Sequence, residues 1–278
     1  MARCIHCNKW GFLLKLNQEG LCAVCEEIIK QEYEIERKRK REAFIKEKIR
    51  LAQQELFDLP RYKIDLSNEK RKRQSGFEGV PFSNITPKGK YDEFVVFDTE
   101  TTGLSASKER IIELGAVRFV DGKPIEVFET FVNPEREISK EVTSINHITK
   151  EMVCNAPTIS QILPAFEAFV GKSALVAHNL EFDLKFLYYS GSTIIEAKRK
   201  YFDTLTQAKK MLKKPKMKYD KEFGIGEEDY DKDYDVLDYK LETLCEYYDI
   251  IIPMKHRATA DAIATGKLFL KLIEEKQR

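Results

Sequence analysis

Long hydrophobic runs are missing from this chain of 278 residues. No apolar stretch approaches the eighteen or so residues that a membrane-spanning helix needs. The amino terminus also lacks the apolar core of a secretory signal. A membrane is therefore not expected among the partners. Charge of one sign is scarce overall, with 47 Lys+Arg against 46 Asp+Glu and a formal net charge of +1. That balance hides an asymmetry. Residues 1–90 hold 20 Lys+Arg and 13 Asp+Glu, whereas the remainder holds 27 and 33. A basic front joined to an acidic back is the pattern expected when one part faces a polyanion and another holds cations. Cysteine is sparse too, and four of the six crowd into the first 25 residues. The spacing is not that of a disulfide framework and reads as a reduced, cytoplasmic protein.

Proline and glycine are absent from residues 26–58, which are rich in Glu, Lys and Arg. The composition predicts a charged helix, with Ile45, Ile49, Ala52 and Leu56 forming one apolar stripe at 4-3-4 spacing. Residues 36–42 carry no apolar side chain and read as a solvated face; a nucleic-acid or partner-binding helix is the sharper reading. Residues 59–92 contain the basic cluster Lys70–Arg73, with Gly76, Gly79, Pro81, Pro87 and Gly89 as punctuation. They read as a basic, partly disordered linker. No internal repeat is present.

An α/β pattern occupies residues 93–278. Strands are predicted at Phe94–Phe97, Ile112–Val120, Ile125–Val132 and Ala174–Ala177, with a turn at Asp121-Gly122. Helices are predicted at Ile159–Val170, Leu180–Tyr189, Lys240–Tyr248 and Ala258–Glu275. This order suggests a mixed sheet with helices on its faces.

Asp98-Thr-Glu100 ends the first of these strands. Residues two apart on a strand share a face, so the two carboxylates would stand side by side. Like charges that close are costly without a cation. An isolated pair of this kind is ordinarily just an acidic strand end, but this one has company. His178-Asn-Leu-Glu-Phe182-Asp183 follows a buried strand, and Asp183 falls in the first turns of a helix near the face of Asn179. His256-Arg-Ala-Thr-Ala-Asp261 puts a histidine before the last helix and a carboxylate in its opening turns, where the helix dipole favours ionisation.

Taken together, Asp98-x-Glu100, His178-Asn-x-x-Phe182-Asp183 and His256-x-Ala-x-x-Asp261 resemble the DEDDh class of the DnaQ-like exonucleases, over about residues 93–275. That class includes the proofreading subunit and domains of bacterial DNA polymerase III and several RNA-trimming enzymes. The resemblance implies a ribonuclease H-like fold and 3′→5′ hydrolysis of terminal phosphodiester bonds with two Mg²⁺ or Mn²⁺ ions. It further implies that Asp98 touches both ions and that Glu100 and Asp261 complete the shell of the ion that activates water. Asp183 would hold the second site, and His256 would be the general base. Thr101, Gly103 and Leu104 would line the pocket of the terminal nucleotide, with Leu104 against the base. His147, in Ile145-Asn-His-Ile-Thr149, stands where the family usually has glycine. Asn179 belongs to the substrate-side candidates, although its position also suits organising the helix start, as does that of Phe182. Asp203 reads as a helix cap. Residues 215–238, rich in Asp, Glu, Lys and Tyr, depart from the family as an inserted acidic loop.

Such a site suits hard cations held by carboxylates beside substrate phosphate. Two of them about 4 Å apart stabilise both the attacking and the departing oxygen, and an imidazole titrates near neutral pH. Single-stranded 3′ ends of DNA are the first substrate implied, with a DNA polymerase or another replication or repair protein as partner. RNA trimming uses the same residues and stays open. So does a non-catalytic zinc-containing adaptor, which the intact carboxylate set disfavours.

Cys4-x-x-Cys7 and Cys22-x-x-Cys25 suit one tetrahedral Zn²⁺ held by four thiolates. Residues 1–25 are too few to fold on their own core, so a structural metal would supply the folding energy. A small hairpin is expected over Trp10–Leu16. Disulfides are disfavoured by the compartment, and a redox pair lacks the surrounding βαβ pattern.

Overall fold

The structure is a computed structural model that describes residues 2–11, 15–79, 91–195, 199–219, 226–229 and 233–277. The chain divides into two compact units, Met1–Leu51 and Ala52–Arg278.

In the first unit, β1 (Ala2–Arg3) pairs antiparallel with β2 (Trp10–Gly11). The turn between them is tight because Asn8 adopts a left-handed φ of 59° and its amide donates to the Cys4 carbonyl. A second turn forms around Asn17, whose side chain accepts from the amides of Glu19 and Leu21. The hairpin expected over Trp10–Leu16 includes 12–14, outside the described residues; Leu16 itself bridges to Cys22. Helix α1 (Ala23–Asp58) then runs for 36 residues. It is longer by three residues than the sequence suggested, because Cys25 lies in its first turn and the carbonyl of Cys22 accepts from the Glu26 amide.

The second unit centres on a five-stranded sheet ordered β5-β4-β3-β6-β7. Strands β3 (Glu93–Thr101), β4 (Ile111–Val120) and β5 (Lys123–Phe131) form an antiparallel meander. Helices α2 (Lys140–Asn146), α3 (Lys150–Val153) and α4 (Ile159–Val170) follow. Strand β6 (Ala174–Ala177) pairs parallel with β3; after α5 (Leu180–Tyr189), β7 (Tyr201–Asp203) pairs parallel with β6. Helix α6 (Thr204–Met211) leads into the residues expected to be a loop. The structure corrects that expectation: β8 (Lys216–Tyr219) and β9 (Gly226–Asp229) form an antiparallel hairpin, with 220–225 and 230–232 outside the described residues. In its backbone register Lys216 stands opposite Asp229 and Lys218 opposite Glu227. Helices α7 (Leu241–Tyr247) and α8 (Ala258–Gln277) complete the unit.

Strand alternation sorts the core into two layers. Val95 and Phe97 face the cluster formed with α4 and α5, including Phe166, Phe169, Leu184 and Leu187. Phe94 and Val96 face the cluster under α8, with Ile263 and Phe269. Helix α8 lies close to the sheet because two glycines allow it. A Cβ on Gly115 would stand 2.4 Å from the Thr259 amide nitrogen, and one on Gly266 would stand 2.4 Å from the Phe119 ring.

The expected linker is the second correction. Over its described part, 59–79, it is a strap laid on the domain. Pro60 and Tyr62 exchange backbone hydrogen bonds with Val127 and so cover the edge strand β5. Tyr62, Ile64 and Phe77 pack against the α4–α5 layer. Within the basic cluster, Arg71 pairs with Glu167 at 3.0 Å, and Arg73 donates to the carbonyls of Ala106 and Ser107. Two of the four cations thus hold the fold together. Residues 80–90 lie outside the described residues.

Candidate active site

Past Phe97 the alternation of β3 continues into polar residues. Asp98 and Glu100 extend the line of Phe94 and Val96 and therefore face α8. Thr99 points to the other side, toward α5. There its amide and its hydroxyl both donate to Asp183 Oδ1, at 2.9 and 2.7 Å. Asp183 is buried, with 2% of its surface exposed.

Asp98, Glu100, Asp261 and His256 line one cleft of about 790 Å³. Ligand atoms of Glu100, His256 and Asp261 all lie within 4.8 Å of one another. Asp183 does not line the cleft. It lies against Thr99, near enough to be the strongest like charge acting on Asp98. The carboxyls respond as crowded, desolvated acids do. Burial first, and then the charges of Asp183, Asp261 and Glu100, raise Asp98 well above the usual range. Burial raises Glu100 as well, against a hydrogen bond from Asn146. Burial pushes Asp183 up to about 7 despite the Thr99 donors, and pushes Asp261 up to about 8, with Glu100 the next cause. Acids that resist ionising together in the absence of a cation are a fitting donor set for divalent cations with oxygen ligands.

His256 occupies the loop before α8 with a left-handed φ of 56°. Its Nε2 lies 3.9 Å from Glu242 Oε1 on α7. The next residue anchors the loop: Arg257 Nη2 reaches Glu113 Oε1 at 2.7 Å, and its guanidinium lies 4.6 Å from the centre of the Phe131 ring. Glu113 is fully buried, directly across from Glu100 in the β3–β4 register, and burial raises it to about 7 against the pull of Arg257. Glu113, Glu242 and Asn146 were not among the residues picked from the sequence. Glu113 had a usable signal, since a charged residue inside an otherwise apolar strand needs a partner. Glu242 had none.

The remaining candidates lie around this cleft in different ways. Asn179 lines it; its left-handed backbone (φ 68°) starts α5, and its amide donates to Asp203 Oδ1. Asp203 also accepts from Leu205 and Thr206, which fits the helix-cap role read for it. Thr101 donates to the Gly103 carbonyl within the loop after β3. Leu104 is 88% exposed on that loop. His147 does not line the cleft. It ends α2 in a left-handed conformation (φ 58°), the geometry that glycine adopts with least strain. His178 is a clip. Tyr239 O accepts from its Nε2 at 3.0 Å, while Nδ1 meets the Thr204 hydroxyl at 2.9 Å; burial lowers its pKa.

In the first unit, the Sγ atoms of Cys4, Cys7, Cys22 and Cys25 all lie within 4.8 Å of one another, and all four thiols are free. Cys7 and Cys22 are 3.9 Å apart, close to the roughly 3.8 Å edge of a tetrahedron of zinc–sulfur bonds. The four sulfurs fit such a metal.

The family model RNase_T, described as exonuclease, matches residues 95–269. The chain belongs to this exonuclease family. The match takes in both elements that carry the cleft carboxylates, β3 and the opening turns of α8. The exonuclease domain is also similar to part of the PolC-type DNA polymerase III of Caldanaerobacter subterraneus subsp. tengcongensis, 37% identical over 202 residues, covering 72% of this chain and 13% of that protein. The corresponding protein of Bacillus subtilis is 34% identical over 203 residues, covering 71% and 13%. The chain thus spans about an eighth of the length of the curated relatives it matches. Among solved structures, exonuclease X in complex with 5′-overhanging duplex DNA matches 66% of this chain and 93% of its own, at 24% identity and a TM-score of 0.48. The mixed sheet with helices on both faces is the arrangement expected from the resemblance to the DnaQ-like exonucleases.

Proposed function

We propose that the second unit is a 3′→5′ exonuclease that hydrolyses the terminal phosphodiester bond of single-stranded DNA ends. The observation that carries this reading is the convergence of Glu100, His256 and Asp261 within 4.8 Å in the cleft floored by Asp98. Asp98, Glu100 and Asp261 are the ligands proposed for two Mg²⁺ or Mn²⁺ ions, with Asp183 contributing from beside Asp98. When bound, these cations supply positive charge to the attacking water and to the departing 3′ oxygen.

The chain's own residues do the rest. His256, exposed over 44% of its side chain, can reach a water at the cleft mouth and take its proton; Glu242 beside it steadies the imidazolium that results. Arg257 and Glu113 hold the loop that carries this histidine. Thr99 fixes Asp183, so that the carboxylate cannot rotate away from Asp98. Leu104 offers an apolar surface to the terminal base, with Thr101 and Gly103 shaping its loop. Lys209 and Lys240 line the same cleft and suit the phosphates of the strand. Similarity to the polymerases above favours DNA over RNA and a replication or repair setting. The four thiolates of the first unit are proposed to hold one structural Zn²⁺, since a Cys4 set leaves no open position.

Digestion of matched, 5′-labelled single-stranded DNA and RNA with Mg²⁺, by the full chain and by Asp98→Asn, tests the reading. A ladder shortening from the 3′ end, faster on DNA and absent in the variant, is expected. Equal rates for the variant would overturn the site. Faster digestion of RNA would move the function to RNA trimming.

A further inference from the structure

Half of the large apolar side chains exposed among the described residues, nine of eighteen, lie on α1. Several of them share a stripe. Val24, Ile28, Ile35, Ile45 and Ile49 fall with Gln31, Lys38 and Glu42 at alternating spacings of four and three, the seam of a coiled coil. Val24 and Ile35 are 69% and 51% exposed. Beyond Ile49 the same stripe continues into Ala52 and Leu56, but those two side chains are packed into the second unit. Exposure along the seam runs from Val24 to Ile45, with Ile49 half-buried at its end, so 24–49 spans nearly four heptads and roughly 39 Å of helix. Ile29, Tyr33, Phe44 and Leu51 lie off this seam.

Charge decides what covers it. Residues 26–36 carry five glutamates and one lysine; residues 37–50 carry eight Lys+Arg and two glutamates. The helix is acidic in its first half and basic in its second. We propose that two copies of this chain pair antiparallel through α1 over residues 24–49. In that register Val24 packs on Ile49 of the second copy, and Ile28 on Ile45. Gln31 meets Glu42 in a polar layer, and the methylenes of Lys38 cover Ile35 while its ammonium reaches solvent. Flanking the seam, Glu27 faces Lys48 and Glu34 faces Arg41, each pair occurring twice by symmetry. Within the helix, the ion pairs Glu26–Lys30, Glu36–Lys40 and Glu47–Arg50 lie on its far side, while Glu34 is 3.8 Å from Arg37 and would turn from it to Arg41 of the second copy. A parallel pair would set Lys38 on Lys38, Glu42 on Glu42 and acidic half on acidic half, so like charges oppose it.

Sedimentation equilibrium of the full chain over a wide concentration range tests the proposal. The expected result is a reversible monomer–dimer equilibrium that is lost in Ile28→Asp/Ile45→Asp. The doubly reversed chains Glu27→Lys/Glu34→Lys and Arg41→Glu/Lys48→Glu should each be monomeric, because their flanking positions become uniformly basic or acidic. Mixed in equal amounts, they should restore the dimer mass, which antiparallel facing alone explains. An unchanged far-UV helical signal in each variant shows that α1 remains folded, and unchanged nuclease activity shows the same for the second unit. A monomer at every concentration, a dimer indifferent to Ile28→Asp/Ile45→Asp, or a mixture that stays monomeric would each overturn it. So would variants that lose DNA affinity without any change in mass, which would assign α1 to nucleic acid instead.

Discussion

Gly115 stands directly across β3 and β4 from Asp98, and the backbone of Ala258 and Thr259 fills the space where its side chain would be. The missing Cβ lets the first turn of α8, and with it Asp261, settle beside the carboxylates of β3. Gly115→Val is therefore expected to push α8 away, costing roughly 1–3 kcal/mol of stability through overpacking. Turnover should fall by about 10²-fold or more, since a shift of about 1 Å is enough for that. Thermal melts and initial rates check both; an active variant with unchanged melting would refute the close approach.

Removing the acid or the base separates roles within the cleft. Asp98→Asn is expected to abolish turnover while the fold survives, because it relieves like-charge crowding. His256→Ala should lower the rate by roughly 10²–10⁴-fold. Rates of single-turnover digestion, together with melting curves, provide the check.

Metal-free stability should fall as pH rises. Unfolded carboxyls lose their protons near the ordinary 3.8, whereas Asp183 and Asp261 hold theirs to about 7 and about 8 in the fold. Between those limits the folded state binds more protons than the unfolded one, so the sign is destabilising with increasing pH. Melting temperatures measured in chelator from pH 5 to about 8 should decline. Saturating Mg²⁺ should remove the decline, because cations replace the protons. A metal-free melting temperature flat with pH would contradict the crowded-acid geometry.

Two truncations should behave differently. A chain starting at Ala52 keeps the strap and every cleft residue, and is expected to fold and to digest DNA. A chain starting at Tyr91 loses Pro60 and Tyr62 from the edge of β5, and Ile64 and Phe77 from the α4–α5 layer. It should melt at lower temperature and aggregate. Melting and light scattering of the two forms settle the comparison.

Stripping zinc should unfold residues 1–25 and leave the nuclease. A thiol-selective chelator is expected to abolish the protection of the Cys22 and Leu21 amides from hydrogen exchange, while digestion with fresh Mg²⁺ continues. Protection that survives metal loss would argue against the four-thiolate site.

Periodic elements were legible in the sequence to the residue: α4, β6 and α5 have the predicted bounds, since their apolar spacing is a local property. Asp98 and Glu100 were legible as a pair for the same reason, the two-residue repeat of a strand. The strap was not. Tyr62, Ile64 and Phe77 are scattered among charges, and their partners at 127, 169 and 188 are far along the chain. The β8–β9 hairpin is built from Lys, Asp, Glu and Tyr with little apolar alternation, a pattern that composition alone renders as loop. Short α2, α3 and β7 offer too few residues for any period to show. Asp183 was found as a carboxylate, but its place behind Thr99, outside the cleft, depends on which side of β3 each residue faces.

The cleft draws its carboxylates from β3 and from α8, with almost the whole domain between them in the chain. During synthesis on the ribosome, β3 emerges with its two acids unmatched, and the imidazole and Asp261 follow only with the final helix. The set of cleft ligands is therefore complete only once the last helix of the domain has packed onto β3.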